Sequence, residues 1–372
     1  MTEHVEVVVV GGGAMGSAAA RALALRGREV LLLERFIPGH KNGASHGASR
    51  NFNIAYSEPD YVDLLVEALP AWRELERETS TPLLDLVGLV NHGANPAYEA
   101  IFEAMTRAGF EAEFLDAAEA SRRWPGMRFD TRVLYTPQGG RVNADAAVTA
   151  LQSSAASHGA TVLHNARVLE LTVRGEDDVL LRYETPDGEY EVRARTAVVT
   201  VGAWTHKLLG TVPHPRLVVT QEQPAHFAVR DDALPWPSFN HAPTPGDPAY
   251  DYWRSPIYGM LTPGEGVKAG WHGVGPVVDP DARDFLPEAR QLADLQRYAL
   301  EWLPGVDPDE FAAISCTYTT TPDSNFVLDR VGPIVVGAGF SGHGFKFTPS
   351  IGRVLADLVE GRAAPTLFSL SR

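Results

Sequence analysis

A chain of 372 residues, 44% hydrophobic and 21% charged, is long enough to fill a large core and to divide into two domains. Its 32 basic and 47 acidic residues leave a net charge of −15, which opposes general binding to phosphate backbones and anionic membranes, so neither nucleic acid nor a membrane is an expected partner. One cysteine, Cys316, permits no internal disulfide and no multi-thiolate metal site; no metal is expected, and the expected location is the reducing cytoplasm.

The opening MTEHVEVVVVGGGAMG has acidic residues where a secretory leader needs basic ones, and no stretch approaches the ~20 apolar residues of a spanning helix. It reads as a strand. The segment VEVVVVGGGAMGSAAARALALRGREVLLLERF then runs strand, glycine-rich turn, helix, strand. Gly11, Gly13 and Gly16 fill G-x-G-x-x-G: the first allows a tight turn, the second lets backbone approach a pyrophosphate, and the third lets helix pack on strand. The helix N-terminus adds free N–H groups and partial positive charge. Glu34, at the end of the second strand, can accept hydrogen bonds from ribose hydroxyls, and its charge disfavours a 2′-phosphate, so NAD or FAD is expected over NADP.

Residues 59–78 carry apolar residues at helical spacing with a charged opposite face and read as a surface helix. Residues 135–173 read as a turn, an Asn- or Asp-capped helix and a strand. The acidic run RGEDDV at 174–179 reads as a solvated loop. A hairpin turned at Pro186-Asp187-Gly188 follows, then the buried strand TAVVTVGAW and a short helix. From about 215 to 310 prolines and aromatics become frequent, with helical periodicity only in EARQLADLQRYALEWL; Trp253, Tyr258 and Trp271 are candidates to line a pocket for a bulky group. The last 40 residues return to an apolar strand, glycines and a helix. Dinucleotide-like elements thus stand at the start, middle and end. The expected fold is α/β: a Rossmann-like cofactor domain discontinuous in sequence (1–80, 140–215 and 317–372), threaded through by a sheet-rich α+β substrate domain (81–139 and 216–316). Cys316 taken alone is a small buried hydrophobe; on a strand it would share a face with Tyr318.

The blocks GASHGASR, RRWPGM, VKAGWHG, SCTYTTTPDSNFVLD and GAGFSGHGFKF, with the N-terminal fingerprint, resemble the FAD-dependent amine oxidases of the D-amino-acid oxidase superfamily, and most closely the monomeric sarcosine oxidase and N-methyltryptophan oxidase family. The resemblance implies a GR2-type FAD-binding domain and a flavin held covalently by a thioether to Cys316, although some relatives hold FAD without a bond. It assigns Ala14, Met15, Arg35, Val168, Gly202 and Trp204 to the cofactor. Ser49 and Arg50 match a Thr-Arg pair beside the flavin, and Gly339, Gly342, His343 and Gly344 belong to its carbonyl edge. Lys268 matches the lysine that promotes reaction with oxygen, and His272 an active-site histidine. Tyr318 matches a tyrosine of the substrate cavity, and Lys346 a lysine reaching the substrate carboxylate and the flavin.

One departure affects substrate. Where the family has TRIIRHAY, with a second arginine that helps to clamp the carboxylate, this chain has SRNFNIAY and places Asn53 there. A neutral amide does not replace a bidentate cation. The resemblance therefore implies a monomeric oxidase of a secondary-amine amino acid: hydride passes to FAD, the imine is hydrolysed, and dioxygen becomes hydrogen peroxide. N-methyl amino acids are the first expectation and fructosyl amino acids the second, with Asn53 and Tyr258 among the substrate contacts. An acceptor-linked dehydrogenase and a non-catalytic dinucleotide-binding protein are the rival readings.

Overall fold

The computed structural model describes residues 3–210, 212–214 and 216–372. Its first sheet has a parallel centre in which Glu3–Val10 lies between Val30–Leu33 and Gly188–Val199, extended by Thr161–Leu163 on one side and Ile334–Ala338 on the other. Both faces are covered, so the central strands are nearly continuous apolar runs. Val7 and Val9 pack on the helices Ala14–Leu25, Ala144–Ser157 and Thr348–Val359. Val8 and Val10 face the other way, onto Leu181, Tyr183 and Val192. Asn143 caps its helix as expected, its Oδ1 accepting from the Ala146 N–H at 3.0 Å. The surface helix is Pro59–Thr79, with Trp72 fully buried beneath it.

The run RGEDDV is not a loop. Arg174 and Gly175 end the strand Arg167–Gly175, and Asp178 and Val179 begin Asp178–Thr185, leaving a two-residue turn at Glu176 and Asp177. This hairpin projects beyond the core, so its tip is exposed on both faces and shows no alternation of apolar and polar residues to betray a strand. The expected hairpin at 186–188 is present, with Thr185 paired to Gly188.

The second sheet has eight strands in the order Val306–Ala313, Ala225–Val229, Gly266–Trp271, Ile257–Thr262, Ser238–Ala242, Leu89–Gly93, Val133–Thr136 and Glu113–Leu115. It draws on both 81–139 and 216–316, and the helix Ala289–Trp302 packs on it. Among the described residues two small sheets lie outside both. One is the ribbon of Val218–Glu222 with Cys316–Thr320, the other the trio Arg50–Phe52, Gly140–Val142 and Leu84–Asp85. The boundary drawn between 316 and 317 falls inside the strand Cys316–Thr320; those drawn at 1 and 215 fall on residues outside the described ones. Among the described residues no helix is long and apolar enough to cross a membrane, and no cluster of three His, Cys, Asp or Glu could hold a metal.

Candidate active site

A cavity of about 710 Å³ is walled by residues from both large sheets. At one end lies the glycine-rich turn. A Cβ on Gly16 would sit 1.8 Å from the Gly11 carbonyl oxygen, so that glycine seats the helix against the turn and does not itself line the cavity. The amino end of the helix Ala14–Leu25 has no acidic residue, and Gly13 at its N-cap has no side chain to cap it, so it offers N–H groups and partial positive charge. Ser45 Oγ accepts from the Ala14 N–H at 3.0 Å. Glu34 is buried, its two oxygens accepting from the Gly12 N–H at 2.6 Å and the Phe36 N–H at 2.9 Å. A carboxylate has further lone pairs for ribose hydroxyls, so this donor and acceptor set fits a dinucleotide. Arg35, Val168, Gly202 and Trp204 line the same end.

A strap leaving the second sheet after Trp271 roofs that end. Its Asp281 accepts from Arg35 Nη1 at 2.7 Å, Trp204 Nε1 at 2.8 Å and Lys207 Nζ at 2.6 Å. Arg283 ties it down through Gln221 Oε1 at 3.1 Å, the Asn42 carbonyl at 2.9 Å and Ser315 Oγ at 2.8 Å. Where the strap begins, the buried Glu222 accepts from the Val274 and Gly275 N–H groups at 3.2 and 3.3 Å. Burial raises the Glu222 pKa.

Further along, Cys316 and Tyr318 both line the cavity from one strand. Arg50 Nη2 is 3.7 Å from Cys316 Sγ and donates to the Ala44 carbonyl at 3.0 Å. Ser49 is not on the cavity wall; its hydroxyl meets Thr262 at 2.5 Å. Its carbonyl accepts from Arg50 Nη1 at 2.9 Å and from Lys268 Nζ at 3.4 Å, so it orients both cations from behind. Lys268 is 4% exposed. Burial, and then the Arg50 charge, push it down to about 7.

Strand alternation decides which aromatics reach the site. Tyr258, Met260 and Lys268 point into the cavity from neighbouring strands, whereas Val267, Ala269 and Trp271 point into the second core. Trp271 and Trp253 pack edge to face at 5.7 Å and do not line the cavity. Of the three aromatics expected to form a pocket, only Tyr258 does so.

His272 lies just past the end of that strand, its Nδ1 3.4 Å from Tyr318 Oη. Burial and then Lys346 hold it down to about 4, so it is neutral. Lys346 is also 4% exposed, and burial lowers it to about 7. Gly342 has φ +76°, and a Cβ there would lie 2.1 Å from the Tyr318 ring, so a side chain would displace the tyrosine. His343 and Gly344 line this end, but Gly339 does not; it turns beneath, next to Thr321. Asn53 lines the wall, its Oδ1 accepting from the Ala55 N–H at 2.8 Å.

Arg50, Lys268 and Lys346 thus all line one dinucleotide cavity, the first two acting on each other and Lys346 on His272, and among the described residues none has a carboxylate within ion-pairing distance. Such a place can take an anion or stabilise negative charge as it develops. Sequence reasoning missed several neighbours. His46, driven down to about 3 by burial and then by Arg50, has a buried Nε2 that meets no partner among the described residues. Tyr56, Asn51 and Asn240 line the cavity, and His46 lies behind its wall. His46 and Tyr56 stand inside the quoted blocks GASHGASR and SRNFNIAY, which was a usable signal; nothing in the chain marked Asn240.

A family model described as DAO, FAD dependent oxidoreductase, matches residues 6–358. The monomeric sarcosine oxidase of Bacillus sp. (strain NS-129) is 32% identical over 391 aligned positions, covering 100% of this chain and 98% of that protein. The N-methyl-L-tryptophan oxidase of Salmonella dublin is 28% identical, with 99% of this chain and 98% of that protein covered. Among solved structures, the open form of NikD, an unusual amino acid oxidase essential for nikkomycin biosynthesis, superposes with a TM-score of 0.85 at 29% identity, covering 99% of this chain and 98% of that one. With its glycine turn, buried Glu34 and interleaved sheets matched from end to end, the chain belongs to the DAO family of FAD-dependent oxidoreductases.

Proposed function

We propose that this protein oxidises the secondary amine of an amino acid in the cation-lined cavity, acting as a monomer in the cytoplasm with dioxygen as acceptor and hydrogen peroxide as product. The observation that carries the reading is that Arg50, Lys268 and Lys346 all line the dinucleotide cavity, with neutral His272 close to Lys346. Bound FAD supplies the two-electron acceptor for the substrate C–H bond. The chain's residues do the rest. Lys346 holds the carboxylate, and His272 with Tyr318 faces the amine; being neutral, His272 accepts a proton and favours the unprotonated amine whose lone pair assists hydride loss. Arg50 and Lys268 stabilise negative charge on the ring side and on dioxygen. Water then hydrolyses the imine.

The first sheet with its helices serves as the cofactor unit and the second as the substrate unit. The glycine turn and Glu34 hold the adenosine half, and Arg50, Gly342, His343 and Gly344 the ring. Cys316 would be the attachment point. Forming the thioether would break a C–H bond of the flavin methyl group and the thiol S–H, both hydrogens leaving as protons, and the two electrons released would reduce the flavin itself and pass on to dioxygen. The sulfur's place next to Arg50 supports this. In acid precipitation the parent's yellow colour is expected to stay with the protein, and that of Cys316→Ala to pass to the supernatant. A parent that already releases its flavin has no bond.

N-methyl amino acids are the first substrate class. A second reading, fructosyl amino acids, is favoured by three carboxamides on the wall, Asn51, Asn53 and Asn240, with Asn51 Nδ2 donating to Asn240 Oδ1 at 3.3 Å and Asn240 Nδ2 to Asn91 Oδ1 at 2.8 Å. Neutral amides suit hydroxyl groups better than carboxylates. Anaerobic bleaching of the flavin by sarcosine, N-methyltryptophan, proline and fructosyl amino acids separates the two, and peroxide formed per amine oxidised should be one. Peroxide far below that ratio would make the protein an acceptor-linked dehydrogenase, and a flavin that no amine bleaches would remove the catalytic reading.

A further inference from the structure

The role proposed for Lys346 requires an ammonium where burial disfavours one. Two acceptors meet its Nζ: Tyr56 Oη at 2.9 Å and the His343 carbonyl at 2.6 Å. The faces of Tyr56 and Phe347 add ring contacts at 5.0 and 4.9 Å. The hydrogen bonds beyond Tyr56 run in one direction only. His343 Nε2 is 3.0 Å from the carbonyl of exposed Ser324, and a carbonyl only accepts, so Nε2 carries the ring proton and Nδ1 is bare. Nδ1, at 3.1 Å from Tyr56 Oη, therefore accepts the tyrosine's hydroxyl proton. That leaves the Tyr56 oxygen lone pairs facing Lys346. Burial and then Lys346 hold His343 down to about 3, so the direction persists through neutral pH.

The titratable groups around Lys346 come from five elements. Tyr56 precedes the helix Pro59–Thr79, and Tyr61 lies on it. His343 lies on the lysine's own turn, His272 follows the strand Gly266–Trp271, and Tyr258 and Tyr318 stand across the cavity. Burial raises the phenols and lowers the imidazoles, so all are neutral near pH 7. Tyr56 Oη and the His343 carbonyl are then the groups that favour the ammonium.

We propose that Tyr56 and His343 are positioning residues that keep Lys346 protonated and aimed at the substrate carboxylate, a task left to one cation by the asparagine at 53. This rests on the reading of Lys346 as the carboxylate's partner. The test is titration calorimetry on the holoenzyme with (methylthio)acetate, in which sulfur replaces the amine nitrogen, between about pH 5.5 and 9.5. This ligand does not titrate there and offers no C–N bond to oxidise. In the parent, affinity should be level below the Lys346 pKa and fall about tenfold per pH unit above it. Tyr56→Phe should move that midpoint down by about one unit, with about tenfold weaker binding at pH 8. His343→Leu should do the same, while His343→Asn, which keeps an acceptor near Nδ1, should return the midpoint to the parent's. A merely structural role would weaken binding without moving the midpoint. Should Tyr56→Phe fail to fold, His343→Leu against His343→Asn carries the same comparison. Unmoved midpoints, with Lys346→Met abolishing binding, overturn this proposal alone. Undiminished binding by Lys346→Met overturns the assignment of Lys346 itself.

Discussion

Lys268→Met is expected to slow dioxygen consumption by about 10²–10³-fold, with anaerobic reduction of the flavin by substrate slowed far less. Electron transfer to dioxygen builds negative charge in a place closed to water. The Lys268 ammonium, 4% exposed and held by the Ser49 carbonyl at 3.4 Å, is already desolvated and needs no reorganisation as that charge appears. Methionine keeps the length and loses the charge. Because burial brings Lys268 to about 7, the oxygen reaction of the parent should weaken as pH rises through that value, and the variant should lack this limb. The same replacement should raise the thermal midpoint. A lysine whose folded pKa lies below its unfolded value, ~10.4, destabilises the fold most where both states are charged, and the penalty fades as pH rises from about 7 towards ~10. The gain should be largest near pH 6 and vanish towards pH 10. Stopped-flow reoxidation of the reduced variant decides the matter: a rate within about twofold of the parent's would take Lys268 out of the oxygen step.

The other large effect belongs to Lys346→Met, for which KM for sarcosine should rise by about 10²-fold. Removing one partner of a buried charge pair leaves the other charge without solvent or counterion. With Asn53 neutral and its Oδ1 engaged by the Ala55 N–H, no second cation acts on Lys346 from its own surroundings among the described residues. An N-methyl amine without a carboxylate should be an equally poor substrate for parent and variant. If the variant discriminates against that amine as strongly as the parent does, the carboxylate is held elsewhere.

The glycine turn and Glu34 were readable from the chain because each residue type answers a local demand: Gly16 cannot carry a Cβ beside the Gly11 carbonyl, and a carboxylate belongs where ribose lies. The cation trio was readable only because Arg50, Lys268 and Lys346 sit in recognisable blocks; their place on one cavity depends on cross-strand neighbours far apart in sequence. What stayed hidden was side-chain direction. Lys268 and Trp271 share a strand and face opposite ways, and a one-residue difference in register decides it. Ser49 and Gly339 lie in the right blocks yet work from behind the wall. Asn51, Asn240 and Asn91 meet only because three separate strands place them side by side.

The order in which the chain visits its two large sheets has a mechanical consequence. It leaves the first for Leu89–Gly93, returns for Thr161–Leu163, departs again for Ala225–Val229 and comes back for Ile334–Ala338, so no uninterrupted fragment contains all the strands of either without strands of the other. Neither half can be inherited, excised or synthesised as a self-sufficient piece. The nascent polypeptide must retain an unfinished nucleotide fold until its last strand and helix emerge, and loss of either half under heat or force deprives the other of its closing partner.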